Sequence, residues 1–182
     1  GNDSLYSSAN EIVWGLGGND SLQNSYSSSP QALSGGSGDD TYRIRQNSTA
    51  IIYEAPGQGY DKLYLDSDFA YGYVAILDSR HVIAIEDISG SSEIWVIDAF
   101  NGSGIEEISY GGRLYSTEYF LSVLPSFPGY LGNYSWDALK PLLGDLYVEQ
   151  AKNSIETLKS EVINIESSYE NSRNSINSQI ED

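Results

Sequence analysis

The chain has 182 residues, enough for one or two domains with a modest core, and it has no cysteine, which excludes disulfides and thiolate metal sites. Nine basic residues against 26 acidic ones leave a net charge of −17, which disfavours nucleic acid and anionic membranes as partners and favours a cation. Because the sequence has neither an apolar run of about 18 residues nor a basic-then-apolar start, we expect no membrane insertion.

Short strands separated by glycine-rich turns are predicted over the first 65 residues. The fullest turn is Gly35-Gly-Ser-Gly-Asp-Asp40, and altered copies end at Asp3, Asp20 and Asp61, so the aspartates lie 17, 20 and 21 residues apart. Glycine allows the positive φ that turns carbonyl oxygens inward, and the aspartate adds a hard carboxylate oxygen. The pattern therefore predicts turns that hold a cation. The alternative is a β-sandwich whose hairpin turns merely contain Gly and Asp.

The order Gly-Gly-x-Gly-x-Asp-x-(apolar)-x resembles the nonapeptide repeat of RTX (repeats-in-toxin) proteins, which form a calcium-binding parallel β-helix. Leu5, Leu22 and Tyr42 occupy its apolar position, where strand alternation is expected to point them inward. In that family two nonapeptides make one coil of a β-roll, so repeats of about 18 residues stack their turns on one edge. The resemblance implies a mainly β fold, in which a parallel β-roll continues into an antiparallel β cap and a helical C-terminal segment follows.

The resemblance also implies where calcium binds. Each Ca²⁺ would lie between two stacked turns and take main-chain carbonyls together with one carboxylate from each aspartate, about six oxygens in all. Three sites follow, between Asp3 and Asp20, between Asp20 and Asp40, and between Asp40 and Asp61. The implied ligand positions are Gly1, Asp3, Gly15, Gly17, Gly18, Asp20, Gly35, Gly36, Ser37, Gly38, Asp40, Gly57, Gly59 and Asp61.

Several residues near these turns have more than one interpretation. Asp39 and Glu54 are either additional ligands or surface charges, and Pro56 replaces the first glycine of the last turn but keeps its carbonyl. Segments 7–11 and 24–31, where the alternate turns should lie, contain no glycine, so calcium is expected on one edge only. Gly1 falls in the middle of a nonapeptide, so we expect the chain to be the C-terminal piece of a longer protein with more repeats.

Residues 66–124 are predicted to be longer strands that cover the open end of the roll. Ile94-Trp-Val-Ile-Asp-Ala-Phe100, Ile105-Glu-Glu-Ile108 and Gly111-Gly-Arg-Leu114 resemble the C-terminal flanking region of RTX haemolysins, with Ala99-Phe100 in place of the usual Trp-Phe. A roll ends in unpaired backbone groups, so an antiparallel cap is expected here. Tyr110-Gly-Gly-Arg113 predicts a hairpin turn with positive φ at both glycines.

Residues 125–182 are predicted to be a linker followed by amphipathic helices. Just before this segment, Ser116 opens a short capped helix that stops before Pro125. Within the segment, a second short helix bends or ends near Pro141, and a long one follows Gly144. Three roles stay open for the long helix: packing on the cap, self-association, or, as the resemblance implies, an uncleaved signal for the type I secretion machinery. Its apolar residues have coiled-coil spacing and are Val148, Ala151, Ile155, Leu158, Val162, Ile165, Tyr169 and Ile176.

The sequence does not indicate catalysis. His81 is the only histidine, no cysteine nucleophile exists, and the neighbours Glu106 and Glu107 point to opposite faces of a predicted strand. We expect a calcium-binding module of a larger secreted or cell-surface protein of a Gram-negative-type bacterium, disordered without calcium and folding on Ca²⁺ binding after type I secretion. The alternative is an adhesin module that binds a glycan or surface partner through its aromatic-rich β region, since the chain has three tryptophans and fifteen tyrosines.

Overall fold

The structure is a computed structural model, and it describes residues 1–54, 57–66, 69–77, 80–87, 93–97, 104–128 and 136–180. The chain divides into two compact units, Gly1–Leu143 and Gly144–Asp182. The described strands all belong to the first unit, and the second is helical. The prediction of a mainly β fold with a C-terminal helix is confirmed, whereas the boundaries predicted after residues 65 and 124 stay predictions.

Two sheets make up most of the first unit. One has the strand order β1-β3-β5-β7-β11-β12, the other has the order β13-β8-β9-β10-β6-β4-β2, and they share no strand. From β1 to β7, successive strands alternate between the two sheets. The strands are β1 (Ser4–Tyr6), β2 (Ile12–Trp14), β3 (Ser21–Gln23), β4 (Gln31–Ser34), β5 (Thr41–Ile44), β6 (Thr49–Ile52), β7 (Lys62–Leu65), β8 (Phe69–Leu77), β9 (Arg80–Asp87), β10 (Glu93–Ile97), β11 (Glu107–Tyr110), β12 (Arg113–Ser116) and β13 (Ser126–Pro128).

Parallel pairing aligns the apolar position of each repeat. β1, β3, β5, β7 and β11 pair in parallel, so that Leu22 lies opposite Tyr42, and Leu63 lies opposite both Tyr42 and Ile108. The side chains of these four residues are fully buried in the hydrophobic core, and Leu5 packs against that core. The inward orientation predicted for Leu5, Leu22 and Tyr42 is therefore confirmed.

The strands that follow β7 are mixed in direction. β8, β9 and β10 pair antiparallel, and β11 and β12 form a hairpin around Gly111 and Gly112, whose φ angles of 57° and 76° confirm the predicted turn. However, β10 pairs in parallel with β6, and β11 pairs in parallel with β7. The predicted cap is thus not antiparallel throughout. The free edges of β6 and β7 need pairing, but a strand added in either direction satisfies their unpaired backbone groups, so an open edge does not by itself demand an antiparallel cap.

The short helix α1 (Thr117–Val123) begins and ends where the sequence predicts. The Ser116 hydroxyl accepts a hydrogen bond from the Tyr119 N–H at 3.2 Å, as an N-cap should. At the other end, the Leu124 N–H donates to the Phe120 carbonyl at 3.0 Å, and the helix stops before Pro125.

The long helix α2 (Trp136–Ile180) is continuous, so a helix end near Pro141 and a new start after Gly144 are wrong, while a bend near Pro141 stays a prediction. Proline and glycine inside a helix cost roughly 3 and 1 kcal/mol. In α2, one proline and one glycine occur near the N-terminus. The turns that follow contain Leu, Glu, Lys and Ala, which have high helix propensity and offset this cost.

The apolar residues that recur along α2 with coiled-coil spacing, here called the apolar seam, are exposed. The three possible roles of the helix stay predictions. Among the described residues, no helix has both the length and the apolar character that crossing a membrane requires. The exposed seam positions are Val148, Ile155, Leu158, Val162, Ile165, Tyr169 and Ile176.

Candidate metal centre

Stacked turns bring four aspartates together at one edge of the first unit. The main-chain N–H of Asp3 donates to Asp20 Oδ1 at 2.7 Å, that of Asp20 donates to Asp40 Oδ1 at 2.7 Å, and that of Asp40 donates to Asp61 Oδ1 at 2.6 Å. We call these four residues the aspartate column. The column forms because each aspartate directly precedes one of the strands β1, β3, β5 and β7, which pair in parallel.

Each buried aspartate of the column has one oxygen without a hydrogen-bond donor. Asp20, Asp40 and Asp61 are 3%, 1% and 0% exposed, and no donor in the described part of the chain reaches their Oδ2 atoms. Leaving a buried polar atom without a partner costs on the order of 1–3 kcal/mol, and more for a charged group. Three such oxygens in one column therefore suit a hard cation, which binds carboxylate oxygens directly.

The first glycine of each turn leaves space beside the column. A Cβ atom on Gly15 would collide with Asp20 Oδ2 and with the Gly35 carbonyl oxygen, so oxygens from two consecutive turns border one small space. A Cβ atom on Gly35 would collide with the Asp40 carboxylate in the same way. Carboxylate and carbonyl oxygens that border a common space are the donor types that Ca²⁺ prefers, so the residues present fit the ion that the sequence implies.

The fourth position of the turn lets consecutive turns stack. A Cβ atom on Gly18 would overlap the Gly1 carbonyl oxygen, one on Gly38 would overlap that of Gly18, and one on Gly59 would overlap that of Gly38. At the fourth position, the main chain of each turn therefore contacts the main chain of the next turn, and any side chain there would force the turns apart.

The second position requires a left-handed backbone. Gly36 and Gly57 have φ angles of 91° and 76°, and Leu16, which replaces glycine in the second turn, has a φ of 72°. A non-glycine residue in this region is strained by roughly 1–2 kcal/mol. The third positions of consecutive turns are also paired, since Gly17 and Ser37 form a parallel β-bridge.

Substitutions at two glycines of the last turn measure separately the cost of a clash between stacked turns and the cost of a positive φ. Gly59→Ala should lower the free energy of unfolding by roughly 2–3 kcal/mol, because its Cβ would overlap the Gly38 carbonyl. Gly57→Ala should cost only about 1 kcal/mol, since its Cβ would meet nothing within 4 Å and only the positive φ is strained. Urea unfolding in millimolar calcium measures both. Equal losses would contradict this division of roles.

The pairs along the column are not equally complete. Asp20 and Asp40 are both buried and have the glycine cradle described above, so the middle pair is the most complete. Gly1 and Asp3 are exposed, and the N-terminal amino group donates to the Gly17 carbonyl at 2.7 Å. At the other end, Pro56 lies outside the described residues.

Burial and repulsion from neighbouring acids raise the pKa of two aspartates of the column, Asp40 and Asp61. Burial raises the pKa of Asp40 from 3.8 to about 6, and the charges of Asp20 and Asp39 add to the rise, while the hydrogen bond from the Asp20 N–H opposes it. Burial also raises the pKa of Asp61 to about 7, with further repulsion from Asp40 and Glu106. Both acids would ionise more readily beside a positive charge.

An outer file of side chains contrasts with the column. Asn19 N–H donates to Asn2 Oδ1 at 2.9 Å, Asp39 N–H to Asn19 Oδ1 at 3.1 Å, and Tyr60 N–H to Asp39 Oδ1 at 2.9 Å. These side chains are exposed. Asp39 is therefore a surface acid that links two turns.

Glu54 is buried, so its interpretation as a surface charge is wrong. It is 2% exposed and accepts hydrogen bonds from the N–H groups of Gly35 and Gly36 and from the Tyr42 hydroxyl. Burial raises the pKa of Glu54 to about 8, and the charge of Asp61 contributes to the rise. The side chain thus supports the third turn from inside rather than facing solvent.

Neutral side chains close the opposite edge of the first unit. The Ser7 hydroxyl donates to Gln31 Oε1 at 2.5 Å, Asn24 Nδ2 donates to the Ser48 hydroxyl at 2.5 Å, and the Arg45 N–H donates to Asn24 Oδ1 at 2.8 Å. Ser7, Asn24, Gln31 and Ser48 are all buried. Hydrogen bonds between neutral groups hold this edge, whereas carboxylates line the other; calcium on one edge only stays a prediction.

A cation in the column would rely heavily on main-chain ligands. Within the described ranges, no group of three or more His, Cys, Asp or Glu side chains is placed to hold a metal ion. Two carboxylates and several turn carbonyls would have to complete the shell, which is the donor set that the sequence pattern predicts.

Sequence reasoning missed one acid that lies against the column. The Asp61 N–H donates to Glu106 Oε2 at 2.6 Å, although 45 residues separate the two. A signal was available, because Asn101-Gly-Ser-Gly-Ile-Glu106 has the order of a degenerate turn with Glu in place of Asp. No family model and no curated protein sequence matches the chain, so proposals about its function depend on the chemistry of this centre.

Proposed function

We propose that the chain is a calcium-binding module of the RTX type, in which a parallel β-roll folds when Ca²⁺ binds between the stacked turns of the aspartate column. The observation that carries this proposal is the row of buried Oδ2 atoms on Asp20, Asp40 and Asp61, which no hydrogen-bond donor of the described residues reaches. The alternation of β1 to β7 between two sheets, with parallel pairing in both, supports the roll.

The two oxygens of each aspartate have different roles in this proposal. Oδ1 accepts the N–H of the preceding turn and holds the stack, as the bond from Asp20 to Asp40 illustrates. Oδ2 stays available as a metal ligand, together with turn carbonyls such as that of Gly35. When bound, Ca²⁺ supplies positive charge that offsets the negative charge of these carboxylates.

Electrostatic repulsion couples ion binding to folding. With a net charge of −17, the chain repels itself, and the column places further buried acids side by side. Ordering the glycine-rich turns also costs more backbone entropy than ordering other residues. The free energy of ion binding therefore becomes free energy of folding, and without calcium the first unit is largely unfolded.

This coupling fits export of the protein in an unfolded state. Extracellular calcium modules bind the ion at roughly 0.1–1 mM, far above the usual cytosolic concentration. The proposed module thus folds after type I secretion from a Gram-negative-type bacterium, with the C-terminal segment as the part that contacts the secretion machinery.

Circular dichroism with and without calcium tests the proposal. Adding millimolar calcium to the chelated protein should increase the strand signal cooperatively, and magnesium should not replace it. The double variant Asp20→Ala/Asp40→Ala should lose this response. A control that also removes two acids, Asp66→Ala/Glu166→Ala, should keep it, because both residues are exposed and lie outside the column. A wild-type signal that calcium leaves unchanged would refute the proposed function.

An aromatic groove favours a second candidate, a module that binds a glycan or surface partner. The groove has a volume of about 440 Å³, and the rings of Tyr115 and Tyr119 stack at 5.2 Å beside Phe120. Tyr119 is 51% exposed, so part of this aromatic cluster is accessible to a ligand such as a sugar. Glycan binding by the folded protein that does not vary with calcium concentration would favour this candidate over the first.

A further inference from the structure

The hydrogen-bond pattern of the aspartate column continues beyond Asp61 to Glu106, the residue directly before the strand β11. The bond from the Asp61 N–H to Glu106 Oε2 has the same length, 2.6 Å, as the bond from the Asp40 N–H to Asp61 Oδ1. The Asp61 carbonyl accepts from the Glu106 and Glu107 N–H groups at 3.0 and 3.3 Å. In the register of β11 and β7, Glu107 lies opposite Lys62, which places Glu106 next to Asp61.

We propose that Glu106 is a metal ligand and that an additional Ca²⁺ site lies between Glu106 and Asp61, beyond the three sites that the sequence pattern implies. This inference rests on the proposed calcium-binding function. The last acid of the stack would then be Glu106, which follows the antiparallel strands, rather than an aspartate of the repeats.

The buried Oδ2 of Asp61 is available as a ligand for such a site. Asp20 Oδ2 borders the same space as the carbonyl oxygen of Gly35 in the following turn, so it can bind an ion between the turns of Asp20 and Asp40. If the repeat continues unchanged, Asp40 Oδ2 can bind an ion between the turns of Asp40 and Asp61, and Asp61 Oδ2 can bind one on the far side of the Asp61 turn. Asp61 is 0% exposed, its Oδ2 has no donor among the described residues, and Glu106 is the acid that stands at that gap.

The sequence around Glu106 supports this continuation of the repeat. Residues 101–109 read Asn-Gly-Ser-Gly-Ile-Glu-Glu-Ile-Ser, with glycine at the second and fourth positions and an acid at the sixth. Ile108 then occupies the apolar position, and it is fully buried opposite Leu63. The longer side chain of glutamate still reaches the Asp61 N–H at the repeat distance.

A cation at this place would join two parts of the chain that are distant in sequence. Asp61 and Glu106 are 45 residues apart, and the strands β8, β9 and β10 lie between them. A link that closes such a long loop removes much conformational freedom from the unfolded chain. Calcium would then order the strands after the repeats together with the repeats themselves.

Glu107 provides a matched control for a test of Glu106. It is the neighbouring acid, and it pairs with Lys62 at 3.3 Å instead of joining the column. Glu106→Gln keeps an oxygen that accepts the Asp61 N–H but removes the charge, whereas Glu106→Asp restores the acid found in the other turns. Equilibrium dialysis with radioactive calcium at saturation measures how many ions each protein binds.

We expect Glu106→Gln to bind one ion fewer than the wild type, and Glu107→Gln and Glu106→Asp to bind as many as the wild type. Equal numbers for the wild type and Glu106→Gln would overturn this inference while leaving the proposed function intact. A wild type that binds no calcium would instead refute the proposed function. If Glu106→Gln does not fold, a lanthanide-soaked crystal of the wild type decides: anomalous density between Asp61 and Glu106 supports the site, and its absence there overturns it.

Discussion

The variant Asp40→Asn should be more stable than the wild type in calcium-free buffer at neutral pH and less stable in millimolar calcium. Asparagine keeps an oxygen that accepts the Asp20 N–H but removes a buried charge. The difference between the ordinary pKa of 3.8 and the raised value of about 6 corresponds to roughly 3 kcal/mol of destabilisation without the ion. With the ion, the missing carboxylate weakens two neighbouring sites, so the order of stability reverses.

Osmolyte-induced folding makes this comparison possible even if the calcium-free wild type is unfolded. Trimethylamine N-oxide favours burial, so Asp40→Asn should need less of it to fold than the wild type does. In calcium, urea should unfold the variant first. Asp66→Asn is the control, because Asp66 is exposed and lies outside the column, so its replacement should change neither result. The same order of stability in both conditions would show that Asp40 does not bind a cation.

Without calcium, the free energy of unfolding should fall as the pH rises from about 4 to about 8. The raised pKa values are about 6 for Asp40, about 7 for Asp61 and about 8 for Glu54, against ordinary values of 3.8, 3.8 and 4.5. The folded state therefore binds more protons than the unfolded state in this window. The stability that these groups contribute is fully present below about pH 4 and is lost as the pH passes through their raised pKa values.

Calcium should reverse this pH dependence. A cation binds the ionised carboxylates, so calcium affinity should rise across the same window and binding near pH 6 should release protons. Osmolyte titrations at several pH values measure the first effect, and calorimetry in buffers of different ionisation enthalpy measures the second. Asp40→Asn/Asp61→Asn should weaken the pH dependence of stability, leaving the part that Glu54 contributes, and should reduce the proton release. Proton release that is unchanged in this double variant would show that other groups are responsible.

Local sequence patterns predict most of the aspartate column. Each of Asp3, Asp20, Asp40 and Asp61 precedes a short strand with an inward apolar residue two positions later, and the repeat spacing keeps those strands in parallel register. Strand alternation and the positive φ of the turns are properties of a few adjacent residues, so they can be recognised without the fold.

Contacts between distant residues could not be predicted in this way. Whether Glu54 faces solvent or the main-chain N–H groups of Gly35 depends on where β6 lies relative to the third turn. The parallel pairing of β10 with β6 follows from a free sheet edge, which no local pattern describes.

The sequence by itself determined the turns, the acids that end them and the buried file of Leu22, Tyr42 and Leu63, because backbone sterics and strand periodicity act over a few residues. Only the tertiary structure decided which acid follows Asp61 in the column. Glu106 reaches that place because β11 adds to the open edge of β7 after three intervening strands, and the pairing of distant edges is set by the packing of the whole unit.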